Sequence, residues 1–294
     1  MAAAKQAGIA FVKAHGAGND FLVVDQALGA LDREELARRM CDRQTGVGGD
    51  GLVTLEPSDA ADGDFRIYNS DGSEATLSGN GIRCAAAHLL ARRTAGGETV
   101  VAGTGVAFET RVGRRELFFL ERRGREWWFR AEMGRPGFAA EDVPFRPPSK
   151  MNEPLVNVAL PAGDTQVRAT VLSMGNPQCI VLVEDWATVN WCGLGEELER
   201  HSYFSDRANI GFARVLAEDA IEARFWERGA GHTLASGTGS CACAVAAHLN
   251  GKTGRRVRVM LERGEMEVNW RDDGMVELTG PAEIVCQGEF FVDA

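Results

Sequence analysis

Two short motifs, one in each half of the chain, place a hydroxyl side chain beside glycine-rich backbone. They are Ser78-Gly-Asn-Gly81 and Ser236-Gly-Thr-Gly239. In each motif the serine oxygen can cap a helix by accepting a hydrogen bond from a backbone N–H one turn further on. A helix N-terminus attracts anions through its unpaired N–H groups and the positive end of its dipole. The repeat therefore predicts two helix starts that face one anionic ligand, although either motif alone also fits an ordinary capped helix.

The segment after each motif predicts a helix that is buried on all sides. Residues 84–87 and 241–247 are small and apolar around the whole helical circumference, which is typical of a core helix. We therefore predict that Cys84, Cys241 and Cys243 are core residues. Because strand-like segments surround the helix in both halves, the sequence indicates an internal duplication.

Three connecting segments complete this outline. The glycines in residues 15–20 predict a loop whose backbone approaches a ligand closely. Residues 32–41 and 196–200 predict two shorter helices.

Five further motifs accompany the two serine motifs. They are His15-Gly-Ala-Gly-Asn-Asp-Phe21, Asn69-Ser-Asp-Gly-Ser-Glu74, Gly175-Asn-Pro177, Arg207-Ala-Asn209 and Glu227-Arg-Gly229. In this combination the sequence resembles the diaminopimelate epimerase family over essentially its whole length. The resemblance implies an α+β fold of two similar lobes related by pseudo-twofold duplication, each a mostly antiparallel, β-barrel-like sheet around a central helix. It implies a first lobe of residues 1–130 with 279–294, a second lobe of residues 131–278, and an active site in the cleft between them.

The resemblance also implies the chemistry. It is a cofactor-independent epimerisation that interconverts LL- and meso-diaminopimelate, in lysine and cell-wall precursor synthesis, by two-base α-proton transfer, with Ser78 and Ser236 at the base and acid positions. Loss of the α-proton leaves a carbanion whose charge spreads onto the α-carboxylate, and helix N-termini stabilise that charge without a metal or pyridoxal. Arg228 can pair with a carboxylate and Glu227 with an ammonium group. The positions that match the family's substrate-binding residues are Asn19, Asn69, Gly79, Asn80, Asn176, Asn209, Glu227, Arg228, Gly237 and Thr238.

The chain departs from the family pattern at the positions that carry the chemistry. The family has cysteine where Ser78 and Ser236 stand. A thiol with a pKa near ~8.5 ionises readily at a helix N-terminus, whereas a hydroxyl needs an adjacent base, so we expect a much slower reaction. Gln178 stands in place of a histidine, and His232 in place of a glutamate. His232 is either an accessory base or substrate contact, or a solvent-facing loop residue.

These departures leave three functions open. The chain is an impaired diaminopimelate epimerase, an isomerase or dehydratase of the same fold that acts on another small amino or hydroxy acid, or a catalytically silent paralogue that binds an amino acid. The retained substrate-binding positions favour the first, because recognition needs all of them at once.

Composition limits the partners. The 294 residues include 42 acidic and 32 basic side chains, a net charge of −10, which argues against a nucleic-acid-binding surface. No apolar run reaches the ~20 residues of a membrane span, and no secretory signal is apparent. We therefore expect a cytoplasmic protein with no membrane partner. The family resemblance implies a small-molecule amino-acid substrate and a homodimeric assembly. The seven cysteines lack disulfide-framework or zinc-ligand spacing, which predicts reduced thiols and neither a metal nor another cofactor.

Overall fold

Strands and helices follow one another in the same order in the two halves of the chain. The computed structural model describes residues 7–148, 151, 153–163 and 165–292. The first series is β1 (Ala7–Gly16), β2 (Asn19–Val24), α1 (Arg33–Cys41), β3 (Gly51–Glu56), β4 (Asp64–Asn69), β5 (Glu74–Ala75), α2 (Gly79–Ala95), β6 (Gly105–Phe108) and β7 (Arg115–Arg123), and it is followed by β8 (Glu126–Gly134) and β9 (Val158–Ala162). The second series is β10 (Thr165–Ser173), β11 (Pro177–Leu182), α3 (Trp191–Glu199), β12 (Asn209–Ala217), β13 (Ala220–Glu227), β14 (Gly231–Thr233), α4 (Gly237–Leu249), β15 (Arg256–Leu261) and β16 (Gly264–Trp270), and β17 (Val276–Val292) ends the chain's strands.

The hydrogen-bonding pattern of the strands repeats as well. The pair β1–β2 is antiparallel, β2–β3 parallel, and β3–β4 and β4–β5 antiparallel. The same sequence of pairings recurs in β10–β11, β11–β12, β12–β13 and β13–β14. Parallel neighbours need a crossover connection, and α1 and α3 supply it at matching places. The repeated topology supports the predicted duplication.

Two compact units divide the chain. The first unit is Met1–Arg130 with Gly280–Ala294, and the second unit is Ala131–Thr279. Within the first unit the last strand pairs with β1, with Ile9 opposite Phe290. Within the second unit the beginning of that strand, β17, pairs with β16, with Val268 opposite Leu278. The structure thus has the α+β, two-lobe organisation that the sequence predicts.

The two long helices form the centre of their units. Helix α2 contacts β1, β2 and β3, and α4 contacts β10 to β13, β15 and β16. Cys84, Cys241 and Cys243 are fully buried, which confirms their predicted core role. Burial raises the pKa of the Cys84 thiol to about 12, so this group stays protonated near neutral pH. All seven cysteines are free.

The shorter helices pack on separate hydrophobic clusters. Leu36 and Met40 of α1 are buried with Leu22 and Val24 of β2. In the second unit, Leu198 of α3 lies in a cluster with strand residues from β10 to β12. A strand that packs against a central helix on one face and an outer helix on the other is buried on both faces. Its sequence therefore lacks the alternation of apolar and polar residues found in a strand with one solvent-exposed face. This explains the continuous apolar run in β2.

The structure corrects three local predictions. The predicted loop at 15–20 is a tight hairpin, because β1 continues to Gly16 and β2 starts at Asn19. Its two turn residues, Ala17 and Gly18, have φ values of 51° and 89°, which match the twist of a two-residue hairpin turn. Helix α3 begins at Trp191 instead of residue 196, since Asn190 caps it by accepting from the Gly193 N–H at 3.2 Å. His232 lies in strand β14 instead of a loop.

Candidate active site

Ser78 caps α2 in the way the sequence predicts. The residue is extended, with φ −128° and ψ 125°, and its Oγ accepts a hydrogen bond from the Gly81 N–H at 3.1 Å. The first turn of α2 carries no acidic side chain. The amides at the start of the helix therefore keep their attraction for an anion.

Ser236 caps α4 with nearly the same geometry. Its φ is −136° and its ψ is 123°, and its Oγ accepts from the Gly239 N–H at 3.1 Å. The first turn of α4 is also free of acidic side chains. The two motifs thus produce the same local structure, one in each unit.

The two serine hydroxyls differ in what accepts their proton. Ser236 Oγ donates to Glu227 Oε1 at 2.7 Å. Burial raises the pKa of the Glu227 carboxyl above its ordinary value, although the hydrogen bond from Ser236 acts in the opposite direction. Among the residues that the structure describes, none accepts a hydrogen bond from Ser78 Oγ. Only the serine of the second unit has the adjacent base that a hydroxyl needs to become a nucleophile or proton acceptor.

Strand β13 and its hairpin bring Glu227 to Ser236. Glu227 is the last residue of β13 and pairs with Gly231 of β14, so the chain turns back and enters α4 next to the carboxylate. The sequence assigns Glu227 to a substrate ammonium group, and the structure gives its carboxylate Ser236 as a partner. Arg228, assigned to a carboxylate, donates to Asp206 Oδ2 at 2.6 Å.

In the first unit, two asparagines from distant parts of the chain meet. Asn80 Nδ2 donates to Asn19 Oδ1 at 2.9 Å. Asn80 is 3% exposed, and buried Arg83 donates to its Oδ1. Asn69 behaves as a turn residue, because its Nδ2 donates to Ser73 Oγ at 2.9 Å.

In the second unit, three polar side chains converge at the start of α4. Gln178 Nε2 donates to Asn176 Oδ1 at 2.8 Å and lies 3.2 Å from Thr238 Oγ1. Gln178 is fully buried, and its Oε1 has no hydrogen-bond partner among the described residues. Asn209 donates to the Pro177 carbonyl at 3.1 Å and accepts from the Arg228 N–H at 3.0 Å. Asn209 therefore ties the strand after Asn176 to the turn that carries Arg228.

The structure adds Glu199, which sequence reasoning missed. This carboxylate is 3% exposed and accepts hydrogen bonds from Trp226 Nε1 and the Gly229 N–H, both at 3.0 Å. Burial alone would raise the pKa of Glu199, but these hydrogen bonds and that of Arg207 lower it below its ordinary value. Glu199 thus anchors the turn between β13 and β14. The sequence feature that could have indicated Glu199 is an acidic residue directly after apolar Leu198 in a predicted short helix.

His232 is paired on the surface of the second unit. Its Nε2 lies 2.5 Å from Glu262 Oε1, and its ring packs edge-on against Trp191 with 4.9 Å between the ring centroids. The side chain is 39% exposed.

Each unit therefore offers a capped helix N-terminus with polar side chains beside it, and one unit adds a carboxylate-backed hydroxyl. Preorganised N–H groups can stabilise negative charge that develops on a carboxylate. A hydroxyl that hydrogen-bonds to a carboxylate can move a proton. Among the described residues, no group of three or more His, Cys, Asp or Glu side chains is placed to hold a metal ion, and no described helix could span a membrane.

Comparison with known proteins places this arrangement in a family. The diaminopimelate epimerase family model matches residues 11–135 and 170–285. The diaminopimelate epimerase of Pelotomaculum thermopropionicum is 42% identical over 285 residues, which cover 95% of this chain and 98% of the relative. That of Desulforudis audaxviator is 44% identical over 283 residues, with 95% and 98% covered.

Solved structures share the fold at lower identity. A hydroxyproline epimerase from Agrobacterium vitis superposes with a TM-score of 0.67 at 15% identity, covering 99% of this chain and 94% of that structure. A PhzF-family phenazine biosynthesis protein from Bacillus anthracis has the same TM-score at 18% identity, with 97% and 100% covered. The fold is thus one on which epimerases are built, and the full-length sequence identity is specific: this chain belongs to the diaminopimelate epimerase family.

Proposed function

We propose that this chain is a cofactor-independent isomerase that moves the α-proton of diaminopimelate, with Ser78 and Ser236 on opposite faces of the α-carbon. The proposal takes one proton-transfer group from each lobe, Ser78 from residues 1–130 with 279–294 and Ser236 from residues 131–278. The proposal places the enzyme in the cytoplasm as a homodimer. Val285 and Phe291 support an assembly of two copies, because these apolar side chains of β17 are 45% and 55% exposed.

The observation that carries the proposal is the hydrogen bond from Ser236 to Glu227. In the proposed step, Ser236 Oγ takes the α-proton while its own proton passes to Glu227 Oε1. The electron pair of the C–H bond stays on the substrate and spreads onto its α-carboxylate. The N–H groups of Gly79, Asn80, Gly237 and Thr238 then stabilise the added charge.

The second half of the reaction is the slow half. Ser78 would give its proton to the opposite face of the carbanion and become an alkoxide, which solvent then protonates. A hydroxyl without an adjacent base is slow both to give a proton to the α-carbon and to take one from it. The proposed enzyme therefore returns the proton, or a solvent deuteron, to the Ser236 face more often than it inverts the α-carbon.

Proton exchange tests this function more sensitively than epimerisation does. We would incubate the protein with LL- and meso-diaminopimelate in deuterium oxide and follow the α-proton signals by NMR. We expect exchange to exceed inversion, and Ser236→Ala to slow exchange about 100-fold, which is typical for loss of a proton-transfer group. Asn190→Ala is the matched control, because it removes a cap from α3 in the same unit; it should change exchange less than about twofold, since no catalytic contact is touched.

One observation favours a second function. Because Ser78 has no hydrogen-bond acceptor among the described residues, a protein that binds the amino acid without catalysis is the alternative. Binding by calorimetry with no exchange for either isomer would establish that alternative. Failure to bind either isomer would contradict both functions.

A further inference from the structure

A line of hydrogen bonds in the first unit connects a buried cation with a surface carboxylate. Arg83 is 2% exposed, and its guanidinium donates to Asn80 Oδ1. Asn80 Nδ2 donates to Asn19 Oδ1 at 2.9 Å, and Asn19 Nδ2 donates to Asp50 Oδ2 at 2.7 Å. We call this line the amide relay; it consists of Arg83, Asn80, Asn19 and Asp50.

The two ends of the amide relay fix the orientation of both amides between them. A guanidinium only donates hydrogen bonds, and an ionised carboxylate only accepts them. Asn80 must therefore turn its oxygen to Arg83 and its nitrogen to Asn19. Asn19 must in turn present its oxygen to Asn80 and its nitrogen to Asp50. If either amide rotated by half a turn, two donors or two acceptors would face each other.

Two glycines lie close to the guanidinium of Arg83. A Cβ atom on Gly16 would lie 3.1 Å from Asn80 Oδ1 and 3.3 Å from Arg83 Nη2. One on Gly280 would lie 3.2 Å from Arg83 Cζ. Arg83 Nε also donates to the Pro281 carbonyl at 3.2 Å. The strand backbone thus approaches the guanidinium closely, and a side chain at either position would have to displace its neighbours by a few tenths of an ångström.

At the surface end of the amide relay, charged side chains hold the Asp50 carboxylate. Asp50 Oδ1 accepts from Arg43 Nη2 at 2.8 Å, and Asp50 Oδ2 also accepts from the Asp20 N–H at 3.1 Å. Arg43 pairs with Asp20 as well, at 2.7 Å. The ion pair therefore orients the carboxylate, so that Asp50 serves as a fixed acceptor.

We propose that Arg83 is a positioning residue that sets the amide polarity of Asn80 and Asn19 toward a zwitterionic amino acid. The inference rests on the proposed function and on the sequence-based expectation that these two asparagines bind diaminopimelate. Each amide keeps a second N–H and a second oxygen lone pair. The amide relay decides where these stand, so a ligand meets donors and acceptors at fixed places without reorganising them.

Substitutions of Arg83 test the buried end. Lysine still only donates, whereas methionine can do neither, so Arg83→Lys preserves the polarity and Arg83→Met releases it. We expect Arg83→Met to weaken meso-diaminopimelate binding about tenfold, as loss of a hydrogen bond to a charged group typically does, and Arg83→Lys to weaken it by less than about threefold. Calorimetry gives both affinities, and thermal unfolding verifies that each variant is folded.

Asp50→Asn tests whether a change at the surface end alters the orientation of both amides. We do not expect a folding defect, because the Asp50 side chain is 42% exposed. An amide can donate as well as accept, so the acceptor-only end is lost. In protein labelled with ¹⁵N-asparagine, we expect the side-chain NH₂ resonances of both Asn19 and Asn80 to move, although among the described residues no hydrogen bond joins Asp50 to Asn80 directly. Gln44→Glu serves as a nearby surface control and should leave both resonances in place.

The outcomes separate this inference from the proposed function. If Asn80 is unmoved in Asp50→Asn and Arg83→Met binds like the unaltered protein, the amide relay does not set polarity and the inference is wrong. If the unaltered protein binds no diaminopimelate but the resonances move together, the proposed ligand is wrong, while the relay itself is supported.

Discussion

The Ser78 and Ser236 regions share a backbone but not a chemistry. Both serines are extended N-caps that accept from the N–H three residues on at 3.1 Å. Among the described residues, a carboxylate accepts from Ser236 alone, with Glu227 at 2.7 Å. Duplication has thus preserved the anion-binding helix start in both units, whereas the proton acceptor belongs to one. The local motif therefore specifies where charge is stabilised, and its neighbours specify whether a proton can move.

Polar support around the two helix starts also differs. In the first unit a buried cation orients Asn80 and Asn19. In the second unit the uncharged Gln178 lies between Asn176 and Thr238. Under the proposed function, the first unit therefore presents a ligand with a fixed pattern of donors and acceptors, and the second unit transfers the proton.

The largest effect should come from making both regions equally reactive. In Ser78→Cys/Ser236→Cys, each helix start carries a thiol, whose lower pKa makes it a far better proton carrier than a hydroxyl. We expect epimerisation of LL-diaminopimelate to rise roughly 1,000-fold or more. Coupled or NMR assays of the LL-to-meso conversion measure the gain. An unchanged rate would remove diaminopimelate epimerisation as the function of this site.

A smaller effect should follow from pH, and it should appear at one region only. Exchange on the Ser236 face needs the Glu227 carboxylate, whose pKa is raised by burial. The exchange rate should therefore rise as the pH passes through that raised value, above the ordinary ~4.3 of a glutamate. In Glu227→Gln the profile should be flat and the rate about 100-fold lower.

Stability should respond with the opposite sign. A raised pKa in the folded state means that the folded protein binds the proton more tightly, so this stabilisation is complete below the unfolded pKa and is lost as the pH rises through the folded one. The stability advantage of the unaltered protein over Glu227→Gln should accordingly shrink with rising pH. Denaturant unfolding at several pH values measures it; an advantage that grows with pH would contradict the assignment.

The smallest effect should be the same in both regions. Ser78→Ala and Ser236→Ala each remove an N-cap, which costs about 1 kcal/mol of folding free energy. We expect similar losses in urea unfolding, while only Ser236→Ala also removes a partner of Glu227. Equal stability losses with slower exchange in Ser236→Ala than in Ser78→Ala would support a proton acceptor in the second unit only. Loss of exchange to the same degree in both variants would contradict it.

Much of the fold could be predicted because its signals are local. The caps at Ser78 and Ser236 were predictable because an N-cap hydrogen bond spans three residues. The cores of α2 and α4 were predictable from small apolar residues on every face. The start of α3 was not, since Gly193 and Gly195 lie in its first turns and glycine disfavours a helix interior. The hairpin at Ala17 was also missed, because a non-glycine residue at positive φ gives little warning in the sequence.

The sequence by itself determined the duplication, the two helix starts and the family, since these depend on residue types at short spacing. Only the tertiary structure decided which serine has a base and what orients the asparagines. Glu227 reaches Ser236 through a strand pairing, and Asn80 meets Asn19 from 61 positions away. Such contacts depend on strand register and on where a helix crosses a sheet. Both are determined jointly by many side chains that are far apart in the sequence.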